Sequence, residues 1–279
     1  MGDAERCKSC GDWMDLYEGM YFCIGCPGAD ELLYQMTSPG TDACTLRQPF
    51  YNGPSGWKKM TYSHYGLDFA LKVDGTTETF GGDCGADYSG LRAGDGTGTI
   101  TSTQTSTNGD VLLERTWKLT NNGLALTATV TNLGSTEIGS LEAFWGTRDD
   151  WVGDTDNPTK GPADVDSSHV VTGGTSGNAV LTQSGAEALI IYSPDPSARG
   201  LYAACCSFDN VLDIGNPADF HGAPISNDGS YATYVHSSNL AAGASKTILF
   251  FYGVGSPEDL DDIAVKVVDE AVKTAEEAA

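Results

Sequence analysis

Basic charge is scarce in this chain: 15 Lys and Arg stand against 38 Asp and Glu, a formal charge of -23 over 279 residues. A surface so acidic repels phosphate backbones and anionic lipid, which argues against nucleic-acid or membrane-surface binding. Long apolar runs are absent too, and no window reaches the ~18 residues of a membrane-spanning helix. The opening Met1–Arg6 has no apolar signal core, so the chain reads as cytosolic or as one whose leader has been removed. Histidine is sparse. His64, His169, His221 and His236 are scattered, none in a metal-ligand spacing, and no G-x-S-x-G elbow occurs. A lone loop histidine such as His221 is ordinarily a capping residue, so the chain reads as non-enzymatic, with no catalytic residue assigned. The one N-x-Thr triplet, Asn157-Pro158-Thr159, is blocked as a glycosylation site by its proline.

What is plentiful is β-type sequence. Val111, Leu113, Trp117 and Leu119 alternate with polar or outward positions, Asn121-Asn122-Gly123 supplies a tight turn, and Leu124, Leu126, Ala128 and Val130 resume the alternation against threonines. The pattern predicts a hairpin with one apolar and one Thr-rich face. Arg115 falls on the apolar face, where it is expected to reach a carboxylate or the sandwich rim. Further strands are expected over 66–73, 97–106, 140–146, 168–172, 188–193, 201–208, 231–237 and 246–253. Such spacing without intervening helical periodicity predicts an antiparallel β-sandwich. Three units are expected: a Cys-rich module over 1–50, the sandwich over 51–255 and an amphipathic helix over 256–279. The helix start is marked by Ser256-Pro257-Glu258-Asp259, and Leu260, Ile263, Ala264, Val267 and Val268 begin its stripe. Its own sandwich is the default host for that stripe, with a neighbouring subunit as the alternative.

The cysteines lie at 7, 10, 23, 26, 44, 84, 205 and 206. Cys7-x-x-Cys10 and Cys23-x-x-Cys26 are two knuckles that can wrap one zinc, or they can form disulfides. The acidic company of Asp12, Asp15 and Glu18 favours disulfides, and Cys44 and Cys84 are further disulfide candidates. Cys205 and Cys206 sit in an expected strand, whose alternation would send the two thiols to opposite faces. One would then be free while the other pairs with Cys84 or Cys44; the alternative is a vicinal disulfide between them acting as a redox switch.

The densest polar stretch is Arg148 to Lys160. Asp149, Asp150, Asp154 and Asp156, with Gly153 allowing a turn, can converge oxygens on Ca²⁺. The alternative is an acidic turn neutralised internally by Arg148 and Lys160. Trp145 and Trp151 flank the stretch as candidates for stacking on sugar rings, the alternative being core packing or loop closure.

Two resemblances attach to these motifs. Cys23-x-x-Cys26-Pro-Gly resembles EGF-like extracellular repeats. Together with R-D-D-x-V-G-x-T-D-x-P-T-K over 148–160, the chain resembles β-sandwich modules of algal and protist surface fibres and flagellar hairs of the mastigoneme type. That resemblance implies a structural or adhesive subunit, extracellular or at the cell surface. It would be disulfide-bonded and glycosylated, and would assemble with copies of itself or related subunits. The strand with Trp117 followed by GLALTATVTN is also similar to sugar-mutarotase-like supersandwiches, which implies a carbohydrate-binding or carbohydrate-active protein with a polysaccharide partner. An intracellular zinc-ribbon protein is the third reading.

Overall fold

The computed structural model describes residues 20–24, 31–36, 46–53, 56–62, 65–80, 87–89, 99–120, 123–165, 170–172, 177–265 and 269. Its early strands are β1 (Met20–Ile24), β2 (Glu31–Met36), β3 (Leu46–Gly53), β4 (Gly56–Lys59), β5 (Gly66–Val73), β6 (Thr76–Thr77) and β7 (Asp87–Ser89). The central ones are β8 (Thr99–Thr105), β9 (Val111–Thr120), β10 (Gly123–Asn132), β11 (Ile138–Thr147), β12 (Thr159–Val165) and β13 (Val170–Thr172). The late ones are β14 (Ala179–Ser184), β15 (Glu187–Tyr192), β16 (Arg199–Ala204), β17 (Ile225–Ser226), β18 (Gly229–Leu240) and β19 (Ser245–Gly255). A short helix α1 (Asp209–Leu212) follows β16.

These strands form two antiparallel sheets, as the alternation predicted. One runs β1-β2-β3-β5-β11-β18-β16, the other β13-β12-β14-β15-β19-β10-β9-β8-β7. The hairpin of β9 and β10 pairs Leu124 with Leu119 and Val130 with Leu113. Its inward residues Leu113, Trp117, Leu126 and Val130 are buried against Leu71, Leu141, Ala143, Trp145 and Val235 of the other sheet. Thr127, Thr129 and Thr131 point the other way and are only half-buried. The hairpin turn at 121–122 lies outside the described residues.

Small side-packings cover each sheet's outer face. Phe208, Val211 and Leu212, in and beside α1, close over Phe144, Leu201, Ala232 and Tyr234. On the second sheet, residues 260–265 are helical (α2), and Leu260, Ile263 and Ala264 bury against Ala125, Leu181, Ile190 and Phe251. The start of the expected C-terminal helix thus finds its host in its own sandwich. Apart from Asp269, the rest of that helix lies outside the described residues, as do Cys7, Cys10, Cys26, Cys44 and Cys84.

Several expectations need correction. β3 runs across residue 50, and its Leu46 and Arg47 pair with Leu67 and Gly66 of β5, so the early strands extend the first sheet. β12 was hidden by Pro162, which reads as a strand breaker; Pro162 instead faces Val180 of β14, and its missing N–H is tolerated there. Arg115 is 3% exposed and meets neutral partners, Gln104 Oε1 at 2.6 Å and Ser102 Oγ at 3.2 Å, not a carboxylate. Its guanidinium also lies 5.0 Å from the Trp117 ring centre and 5.6 Å from that of Phe69. Trp145 is 1% exposed, against Phe250 and Tyr252, so it belongs to the core and cannot stack on a sugar. It faces inward because β11 is buried on both faces at that point.

Candidate functional site

The turn after β11 gathers several buried polar residues, Asp149, Asp150 and Lys160 among them. β11 ends at Thr147, and the chain turns through Arg148–Pro158 into β12. Gly153 (φ 64°) and Asp154 (φ 63°) make the bend, and a Cβ on Gly153 would lie 2.4 Å from the Ser184 carbonyl oxygen. Only glycine fits there. Three other segments meet this turn: residues 58–62, the bend after β16, and the turn between β17 and β18.

Backbone bonds hold the meeting together. The Asp150 N–H donates to the Gly229 carbonyl at 2.9 Å, and the Tyr62 N–H donates to the Asp149 carbonyl at 3.1 Å. The Cys205 N–H donates to the Asp228 carbonyl at 3.1 Å, and Ser230 Oγ donates to the Arg148 carbonyl at 2.8 Å.

Of the four aspartates expected to share a cation, Asp150 and Asp154 pair with lysines, while Asp156 stays near enough to Asp149 to act on its carboxyl. Asp150 and Lys160, both fully buried, form an ion pair at 2.9 Å. Lys160 Nζ also donates to the Asn227 carbonyl and, at 3.1 Å, to Asn227 Oδ1. Burial pushes the Asp150 carboxyl up to about 7, while Lys160 and the Gly229 amide pull the other way. Exposed Asp154 pairs with Lys58. Arg148 leaves the loop altogether and grips Asp68 with two bonds, at 2.6 and 3.0 Å. The internal neutralisation considered for this loop is therefore supplied within it by Lys160, while Lys58 comes from β4.

Asp149 is different. It is 4% exposed, and its Oδ1 has no hydrogen-bond donor among the described residues. Its carboxyl reaches the side chain of Asp228, whose own Oδ1 is also buried and undonated. The Asp228 carboxylate makes Asp149 harder to ionise, because ionising both would set like charges side by side. Burial first, then Asp228 and Asp156, push Asp149 up to about 6, opposed by Lys59. Asp228 is also raised, by burial and then by Asp156.

An aromatic corner borders this pair. Trp151 is half-buried, its ring 5.5 Å from that of Tyr62, which is 41% exposed. Lys59 Nζ sits 4.0 Å from the Trp151 ring centre and 5.1 Å from that of Tyr62.

On the other flank, Cys205 and Cys206 are joined to each other by a disulfide. The expectation of two separate fates fails because β16 ends at Ala204. The pair lies in the bend beyond it, where strand alternation no longer applies. Cys205 Sγ is 2.9 Å and Cys206 Sγ 3.9 Å from Asp228 Oδ2.

The sequence singles out Asp149, as a Ca²⁺ ligand, and Trp151, as a stacking ring, but not Asp228, Lys59 or Tyr62. Asp228 sits in an ordinary-looking Asn-Asp-Gly turn, and nothing local marks a turn that will land on a loop 79 residues earlier in the chain.

No family model matches the sequence, and no curated protein matches it. Among solved structures, a bacterial glucoamylase complexed with acarbose is similar: 9% identical, TM-score 0.55, over 90% of this chain and 34% of that one. Heparan sulfate lyase HepC from Pedobacter heparinus matches at 14% identity and TM-score 0.47, over 81% of this chain and 33% of its own. The α-N-acetylgalactosaminidase NagBb from Bifidobacterium bifidum, in complex with GalNAc, matches at 11% and 0.46, over 84% and 36%. The chain spans about a third of the length of each of these proteins. At such identity the likeness to the glucoamylase shows the fold alone: this chain is a two-sheet β-sandwich of the kind found within that enzyme.

Proposed function

We propose that the chain is a carbohydrate-binding β-sandwich that takes a neutral polysaccharide at the corner formed by Trp151, Tyr62, Lys59, Asp149 and Asp228. The observation that carries this reading is the half-buried Trp151 ring set beside buried Asp149 and half-exposed Asp228. A sugar offers C–H groups on one face and hydroxyl donors around its edge. An aromatic ring accepts the first, and the half-exposed Asp228 offers an acceptor to the second. Lys59 and Tyr62 both lie against the Trp151 ring, and part of Trp151 stays exposed.

The charge of -23 disfavours an anionic glycan. Binding rather than cleavage fits the carboxyls. Glycoside hydrolysis sets its two carboxyls about 5 to 9.5 Å apart to admit the scissile bond or a water. Asp149 is buried and its carboxyl reaches Asp228, so no open cleft separates the two. The fold held in common with a glucoamylase is consistent with this reading, though a fold by itself carries no activity.

The test is calorimetry of the full chain against a panel of neutral glycans. Trp151→Ala should weaken binding about tenfold, the loss expected of one ring contact of ~1.4 kcal/mol. If the unaltered chain binds none of the panel, the reading fails. Light scattering with and without reductant separates it from a surface-fibre subunit, which would form large assemblies that loosen on reduction.

A further inference from the structure

We propose that, once its disulfide is reduced, the Cys205–Cys206 pair forms with Asp228 a binding site for a thiophilic divalent cation of the Zn²⁺ class. The two sulfurs and an Asp228 carboxylate oxygen lie within 4.8 Å of one another, the only such three-ligand group of His, Cys, Asp or Glu among the described residues. Tetrahedral zinc, with Zn–S near 2.3 Å and Zn–O of 2.0–2.2 Å, needs its ligand atoms roughly 3.5–4 Å apart. The separations of 2.9 and 3.9 Å between Asp228 Oδ2 and the two sulfurs bracket that requirement.

The backbone under the site is tied down. The Cys205 N–H donates to the Asp228 carbonyl at 3.1 Å, and Asn210 Nδ2 donates to the carbonyls of Ala204 (2.8 Å) and Cys205 (3.1 Å). Cys206 is exposed, so reductant and ion both have access.

A separate observation points to a cation. Asp149, 96% buried by its 4% exposure, turns its carboxyl toward Asp228 with Oδ1 undonated, and Asp228 Oδ1 is undonated as well. The sulfurs of a disulfide have no proton to give, so the bonded pair donates nothing to Asp228 Oδ2 beside it either. A divalent ion on Asp228 supplies the positive charge they lack, and Asp149 stands behind the ligand as its outer support.

The chemistry balances with a dithiol reductant. It passes two electrons and two protons to the S–S bond and becomes a disulfide itself, leaving Cys205 and Cys206 as thiols. The ion then displaces both thiol protons as it binds the thiolates.

The other six cysteines can also take metal when reduced, so the experiment is comparative. The fully reduced full-length chain is titrated with Cd²⁺ under anaerobic conditions, read by the ultraviolet thiolate-to-metal absorption. It is run beside the Cys205→Ser/Cys206→Ser double variant and beside Asp228→Asn. We expect the double variant to bind one equivalent fewer than the unaltered chain. Asp228→Asn should keep the stoichiometry but hold one equivalent ~10–100-fold more weakly. The oxidised chain should lack that equivalent. Equal stoichiometry in the double variant overturns the proposal, and so does full affinity in Asp228→Asn. The second variant alters one half-exposed turn residue and keeps both sulfurs, so the result does not hang on whether the double variant folds.

Discussion

At the scale of single residues, the buried charges decide most. Asp150 is fully buried beside Lys160, yet its carboxyl is raised to about 7, above its ordinary 3.8. Desolvation outweighs the attraction of the lysine. The folded state therefore holds a proton on Asp150 between about 4 and about 7 that the unfolded state has released. This group's contribution to stability is fully present below about 4 and is lost as pH rises through about 7. Urea unfolding across that range should show a falling slope that Asp150→Asn lacks, and equal slopes in the two proteins would refute the assignment.

Arg115 is the second buried charge, pulled down to about 9 by burial alone. Its bonds to Gln104 Oε1 and Ser102 Oγ satisfy acceptors that nothing else among the described residues serves. Arg115→Met orphans both and should cost about 1–3 kcal/mol in urea unfolding. Adding Gln104→Leu removes one orphan, along with the Gln104 Nε2 that already lacks a partner. The double variant should recover part of the loss. A double variant no better than the single one would show that the cost lies in packing.

At the scale of elements, the docking of α2 is the junction most open to test. Ile263 lies over Gly255 at the end of β19, where an added Cβ would stand 2.1 Å from Ile263 Cδ1. The glycine is therefore the seat of the helix. Ile263 is 3% exposed, so Ile263→Ala should lower stability by about 2–5 kcal/mol. A loss below 1 kcal/mol in thermal or urea unfolding would mean that the helix is only loosely seated. Periodicity alone gave the helix its stripe, and the two strand stripes of β9 and β10 were legible in the same way. β12 was not, because its Pro162 and its neighbouring acidic turn mask a short run whose partners lie on β14.

At the scale of the whole molecule, net charge opposes compactness. A charge of -23 on one chain repels itself, and salt relieves that repulsion as the screening length falls from about 30 Å at 0.01 M to about 10 Å at 0.1 M. The melting temperature should therefore rise over that range of sodium chloride, whereas a flat or falling response would place the acids in favourable pairs. The described ion pairs are few enough for repulsion to prevail: Lys160 with Asp150, Arg148 with Asp68, Lys58 with Asp154 and Lys246 with Asp195. No helix among the described residues is long and apolar enough to cross a membrane.

Period-two alternation determined the sheets from the sequence alone, because each strand must send every second side chain to the shared core. Composition determined the sign of the net charge. The pairing of the sheets and the site were decided only in three dimensions. Trp145 and Trp151 look alike in the chain, yet one is sealed between the sheets and the other borders the acidic corner. Asp228 meets Asp149, and the Cys205–Cys206 bend meets Asp228, across separations that no local pattern spans. Local sequence fixes which way a side chain points from its strand; which distant turn it then faces depends on the stacking of two complete sheets.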